Sequence, residues 1–227
     1  MQTRKQEIED DALEDRCIFR LTKMKEIVKS YERTLNPHDF CPSTEDICMV
    51  PDIRKAIIDG NNEEFDTCAD EVMSRLPRLT SPLLEERIAK ISALLPYKKR
   101  SDNVLSLAIA WVKCGSCNAS PMHATDALRH YCSIPQDYFS EKPIGEATFD
   151  AYVRGQAWCG QTATLRFSQP TSSIARGLIL DCGDDSKNIT WKEMDAKFHR
   201  FVRYECGNPI VQNWREMVGH TLFCRHP

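Results

Sequence analysis

Residues 111–132, WVKCGSCNASPMHATDALRHYC, constrain this chain more than any other stretch. Cys114 and Cys117 bracket Gly115 and Ser116, twelve residues separate Cys117 from His130, and Cys132 follows two places on. A Cys-x-x-Cys turn aims two thiolates at one point, and zinc takes four sulfur or nitrogen ligands in a tetrahedron. The Cys pair and the gap to His130 have zinc-finger spacing. Cys132 as fourth ligand requires ATDALRHYC to be a short helix that ends at His130 and turns sharply. His123, at the middle of the loop, is a poorer fourth. The competing readings are a redox couple or buried structural thiols. A thioredoxin-like pair should follow a strand and open a helix. Here DNVLSLAIAWV reads as a helix capped by Ser101, and Pro121 follows, so we favour metal.

FVRYECGN, residues 201–208, echoes WVKCGSCN. With Cys206 aligned on Cys117, Arg203 stands where the first copy has Cys114. Thirteen residues separate Cys206 from His220, and Cys224 and His226 follow. His220 and Cys224 are four apart and share one helix face. With Cys206 they make three ligands, and His226 or His199 would supply a fourth. The plainer reading is a terminal helix packed by Trp214, Val218 and Leu222.

Eleven cysteines and no apolar core in MQTRKQEIEDDALEDR lead us to expect an intracellular, reducing compartment, cytoplasmic or nuclear. Disulfides are then not expected, and Cys17, Cys48, Cys68 and Cys182 read as small buried hydrophobes. No run is apolar and long enough for a membrane span. The net charge of −3 argues against a general nucleic-acid binder.

Apolar periodicity makes most of the chain helical. Residues 1–36 read as a charged amphipathic helix with the seam Cys17, Leu21, Met24, Val28, Tyr31 and Leu35. That seam suits docking on its own domain better than weak self-association through residues 17–35. Pro51 opens and Gly60 closes the next helix. One helix is expected over 62–75 and another from Ser81 and Pro82, with Leu84, Ile88, Ile91 and Leu95 as its stripe. Residues 133–149 read as loop. TSSIARGLILDCG reads as a helix stopped by Gly183, TWKE as a capping box, and a last helix should begin at Pro209. The expected architecture is mainly α: a charged helix (1–36), a helical domain (37–113), a zinc-knuckle-like element (114–132), and a helical C-terminal region (133–227). That last region carries the diverged Cys/His segment 201–226.

FCPSTEDICMVPDIRKAII, LLEERIAKISALL, VLSLAIAWVKCGSC, LRHYC, MDAKFHRFV and NWREMVGHTL occur in this order. The order resembles the region downstream of the F-box in F-box-related families of mushroom-forming fungi. The resemblance spans residues 40–226 and implies a partner-recognition region. It puts Cys114, Cys117, His130 and Cys132 in a first Cys/His cluster, and Cys206 and His220 in a second. Arg203 departs from those relatives, which tend to have cysteine there. The N-terminal helix lacks the Leu-Pro opening of an F-box, so adaptor binding is not implied.

The expected function is a non-catalytic, zinc-stabilised protein-interaction module with a protein partner. A nucleic-acid-binding finger is the alternative, but NASPMHATDALR offers no positive face and PYKKRSD only three charges. An enzyme is the third reading. LDCGDDS brings Cys182 near Asp184 and Asp185, and EMDAKFHR brings Glu193, Asp195 and His199 together. The first reads as a loop and Asp195/His199 as a surface pair, and no phosphate loop, His-Glu-x-x-His or nucleophile elbow is present.

Overall fold

The structure is a computed structural model describing residues 4–36, 39–97, 104–116, 120–130, 144–154, 158, 164–203 and 210–223. It is mainly helical and divides into two compact units. Unit 1 comprises Met1–Glu86 and Tyr131–Ala163, and unit 2 comprises Arg87–His130 and Thr164–Pro227. Each unit is discontinuous in sequence.

Unit 1 is built from α1 (Arg4–Glu32), α2 (Thr44–Cys48), α3 (Pro51–Ile58), the first part of α4 (Asn62–Leu94) and α5 (Ile144–Phe149). A π-helical turn, Asp150–Arg154, follows α5. Cys17, Met24 and Val28 of the α1 seam are buried with Ile47, Ile53, Ile57, Phe65, Val72, Leu76 and Phe149. Leu21 and Tyr31 pack against the same cluster. The seam therefore docks on its own unit. Cys17 and Cys48 are the buried hydrophobes expected, whereas Cys68 and Cys182 are half-buried. Burial pushes the Cys17 thiol up to about 11 and the Cys48 thiol further, so neither is a ready nucleophile.

Among the large side chains buried in this unit is Arg20, 1% exposed. Its Nη1 donates to the carbonyls of Ala56 (3.2 Å) and Ile57 (3.0 Å), and its Nη2 to Asn62 Oδ1 (3.2 Å). The two carbonyls lie at the C-terminal end of α3, where backbone acceptors lack partners within the helix and the dipole favours a cation. The guanidinium also sits 5.1 Å from the Phe65 ring centroid. One side chain thus ties α1 to the end of α3 and the start of α4. Two longer-range contacts bring the returning chain in: Trp158 N–H donates to buried Asp46 (2.9 Å), and Arg54 pairs with Glu146 (2.7 Å).

The two helices expected on either side of Ser81 are one. Helix α4 runs through Pro77 and Pro82. Each interior proline costs about 3 kcal/mol. Full burial of a large apolar side chain returns roughly 1.5–3 kcal/mol, and Phe65, Val72, Leu76 and Ile91 of this helix are all buried. Residues 144–149, expected as loop, form α5 because Thr148 and Phe149 have a core to enter.

Unit 2 holds a three-stranded antiparallel sheet in the order β2-β1-β3: β1 is Trp111–Cys114, β2 Met122–His123 and β3 Leu165–Phe167. Trp111 pairs with His123, and Cys114 with Leu165. The expected helix over 102–112 is instead a 3-10 turn, Val104–Ser106, followed by β1; Ser101 lies outside the described residues. Aromatic and β-branched Trp111 and Val112 suit a strand once partners exist on both sides. Helices α6 (Ala124–Ala127), α7 (Gln169–Asp181), α8 (Trp191–Ala196) and α9 (Trp214–Phe223) complete the unit with a hairpin, β4 (Phe201–Arg203) and β5 (Ile210–Gln212). Gly183, with φ +78°, follows α7 as expected. The Thr190/Glu193 capping box opens α8. The last helix starts at Trp214, not Pro209: Asn213 and Glu216 exchange reciprocal N–H bonds of 2.9 Å, a second capping box.

A candidate metal centre and the aromatic frame behind it

Alternation along β1 sends Trp111 to one face of the sheet and Val112 and Cys114 to the other. Cys114 is 1% exposed. Its sulfur accepts the N–H of Ser116 at 3.4 Å and lies 3.5 Å from Thr164 Oγ1. Gly115 N–H donates to Thr164 O at 2.8 Å, extending the β1–β3 ladder one step into the turn. A Cβ on Gly115 would stand 3.1 Å from that carbonyl oxygen, so glycine is required by close approach. The chain then returns as β2, antiparallel to β1. Cys114 thus ends a strand that has an antiparallel neighbour on either side. The βαβ frame of a thioredoxin-like pair is not what surrounds it, although Cys114 does end a strand, contrary to expectation.

Cys117 and Cys132 lie outside the described residues. His130 is half-buried, and its N–H donates to Ala127 O at 3.3 Å in the turn that ends α6. The helix presenting it is therefore a single turn that stops before His130. Cys206, Cys224 and His226 also lie outside the described residues. Arg203 ends β4, and His220 is half-buried in the last turn of α9. Among the described residues, no three or more His, Cys, Asp or Glu side chains are grouped to hold a metal.

His123 is not a ligand in this arrangement. It is fully buried, with Nε2 at 2.8 Å from the carbonyl of Leu107 and Nδ1 at 2.8 Å from Thr125 Oγ1. A carbonyl only accepts, so Nε2 carries the hydrogen and Nδ1 receives the Thr125 donors. Burial depresses its pKa to about 4, and the imidazole is neutral across the physiological range.

Around His123 stands a cluster that the sequence reading missed. Trp111 meets the His123 ring edge-on at 5.8 Å and Trp214 at 6.1 Å. The Arg215 guanidinium lies 4.8 Å from the Trp191 centroid and 5.0 Å from that of Trp214. It also grips Asp195 through Nε (3.1 Å) and Nη2 (3.2 Å), and Trp214 Nε1 donates to Asp195 at 2.6 Å. Asp195 is therefore a structural acceptor, not half of an Asp195/His199 surface pair. The network packs α8 and α9 behind the strands that end at Cys114 and His123. One signal was available: Asn213 with Glu216 marks the helix start that places Trp214 and Arg215 in the first turn.

The carboxylates weighed for catalysis sit beside one another in unit 2, and most of their oxygens have partners. Asp184 and Asp185 follow Gly183 in a loop, as expected. They line an open concavity of about 310 Å³ with Asn188, Ile189, Glu193 and Lys197. Asp184 pairs with Lys197, Asp185 accepts from Lys187 N and Asn188 Nδ2, and Glu193 caps α8. The hydrogen bonds from Thr190 hold the Glu193 carboxyl below its usual range. Among the described residues no helix is long and apolar enough to cross a membrane. No family model, curated protein or solved structure matches this chain.

Proposed function

We propose that this chain is a non-catalytic protein-interaction module whose segment 114–132 takes a zinc ion as a folding element. The observation that carries this reading is the setting of Cys114. The central strand of a sheet, with an antiparallel neighbour on either side, ends at this thiol, and the N–H of Ser116 donates to the sulfur. A metal-bound thiolate is an acceptor for such a donor. Cys114, Cys117, His130 and Cys132 would hold the ion; thiolates and imidazole form the donor set of structural zinc, and four protein ligands leave no open position for water. Structural zinc supplies on the order of ten kcal/mol or more, comparable with the ~5–15 kcal/mol net stability of a whole domain. Cys206, His220 and Cys224 belong to a second, weaker proposal of the same kind.

Elemental analysis tests the first site. Close to one zinc per chain is expected, with Cys114→Ser and His130→Ala each lowering it and broadening the melt. A purified chain free of zinc, folded and indifferent to chelator, sinks the reading.

A further inference from the structure

The interaction module proposed above needs a surface, and one hairpin of unit 2 exposes apolar side chains. Val202 and Val211 are cross-strand partners in β4 and β5, and both are exposed, at 39% and 61%. Close by in the chain, Phe198 is 76% exposed and holds φ at +53°, the left-handed region that a bulky residue rarely enters. A strained backbone that delivers an aromatic ring to water is poor economy for folding and points to function. The hairpin has two strands only among the described residues, and there no main-chain hydrogen bond reaches the outer edge of β4. Two strands alone are marginal, and an open edge is a template for a third.

Charge says what kind of strand fits. Between 197 and 203 the chain carries Lys197, Arg200 and Arg203 and no acid, within a protein of net charge −3. Lys197 is neutralised by Asp184, whereas Arg200 is exposed and makes no ion pair among the described residues. We infer that the β4 edge accepts an extended peptide with apolar residues at alternate positions and acidic residues beside them, added as a third strand next to Val202. Main-chain bonds would give affinity, the valine face would select the alternate side chains, and Arg200 would select the acids. A nucleic acid fits less well: so few cations release few counterions, and a valine pair offers no stacking platform.

A display library of random linear peptides, panned on the whole chain, is the probe. Winners should alternate apolar residues and carry acids. In a variant shown to be folded by circular dichroism, Val202→Glu with Val211→Glu should abolish their binding. Arg200→Glu should weaken it about tenfold, and replacing the peptide's acids by lysine should restore affinity for that variant. Phe198→Gly, which relieves the strain and so keeps the fold, should also weaken binding. Winners with a helical period overturn the inference, as does binding that survives Arg200→Glu and Phe198→Gly. In that second case the interaction module stands and only this surface fails. No winners at all would count against both. Displacement of the peptide by single-stranded oligo-dT would assign the hairpin to nucleic acid instead.

Discussion

The two units are held together by different chemistry. Unit 1 is an apolar core of aliphatic, phenyl and thiol side chains between helices, with the Arg20 guanidinium buried inside it against the end of α3. Unit 2 is organised around polar aromatics: Trp111, Trp191 and Trp214 enclose a neutral histidine and an arginine-aspartate pair. In unit 1 most partners of the core are the stripes of successive helices. In unit 2 they are single side chains from several separate stretches of the chain, most of them held by a hydrogen bond. Helical packing tolerates substitutions of similar size, whereas a network of specific donors and acceptors does not.

The sharpest test of that contrast is Arg20→Met. Methionine fills much of the same volume, so the loss isolates the polar contacts. Leaving the Ala56 and Ile57 carbonyls buried and unpaired should cost roughly 3–5 kcal/mol by urea unfolding. A loss under about 1 kcal/mol would show that unit 1 is held by apolar packing alone.

The next effect is a pH dependence in unit 2. His123 has a folded pKa of about 4 against an ordinary 6.5, so the unfolded chain binds the extra proton between those values. Its contribution is complete above pH 6.5 and is lost as the pH falls through that window toward 4. The loss amounts to roughly 3 kcal/mol. His123→Gln, which retains a donor for the Leu107 carbonyl, should flatten the acid limb of stability by that amount. Equal acid limbs in variant and wild type would remove His123 from the account.

A smaller change is expected for Arg215→Lys. Lysine keeps the charge but loses the flat stacking on Trp191 and Trp214 and the paired bonds to Asp195. A cost of about 1–2 kcal/mol should appear in the tryptophan-monitored melt, because three of the four tryptophans report on this cluster. The smallest effect has the opposite sign. Phe198→Gly should stabilise by up to about 1 kcal/mol, since glycine enters the left-handed region without the clash a side chain meets there. A destabilised variant would mean that the exposed ring has an intramolecular role.

By itself the sequence determined whatever is settled within a turn or two of chain. The Pro51 and Gly60 boundaries, the Thr190/Glu193 box, the Gly183 stop and the buried seam of α1 all rest on side chains meeting their own neighbours three or four residues away. Of the proposed metal ligands, it placed Cys114 and His130 beside a turn and a helix end, though with a helix where a strand stands. Tertiary structure decided the rest. Residues 111–114 become a strand because Leu165 and His123 pair with them from either side. Helix α4 runs unbroken through Pro77 and Pro82 because burial outweighs the lost hydrogen bonds. His123 and Asp195 turn out to be structural because Leu107 and Arg215 reach them. In each case the deciding partner lies many residues away, and periodicity and capping carry no information over that distance.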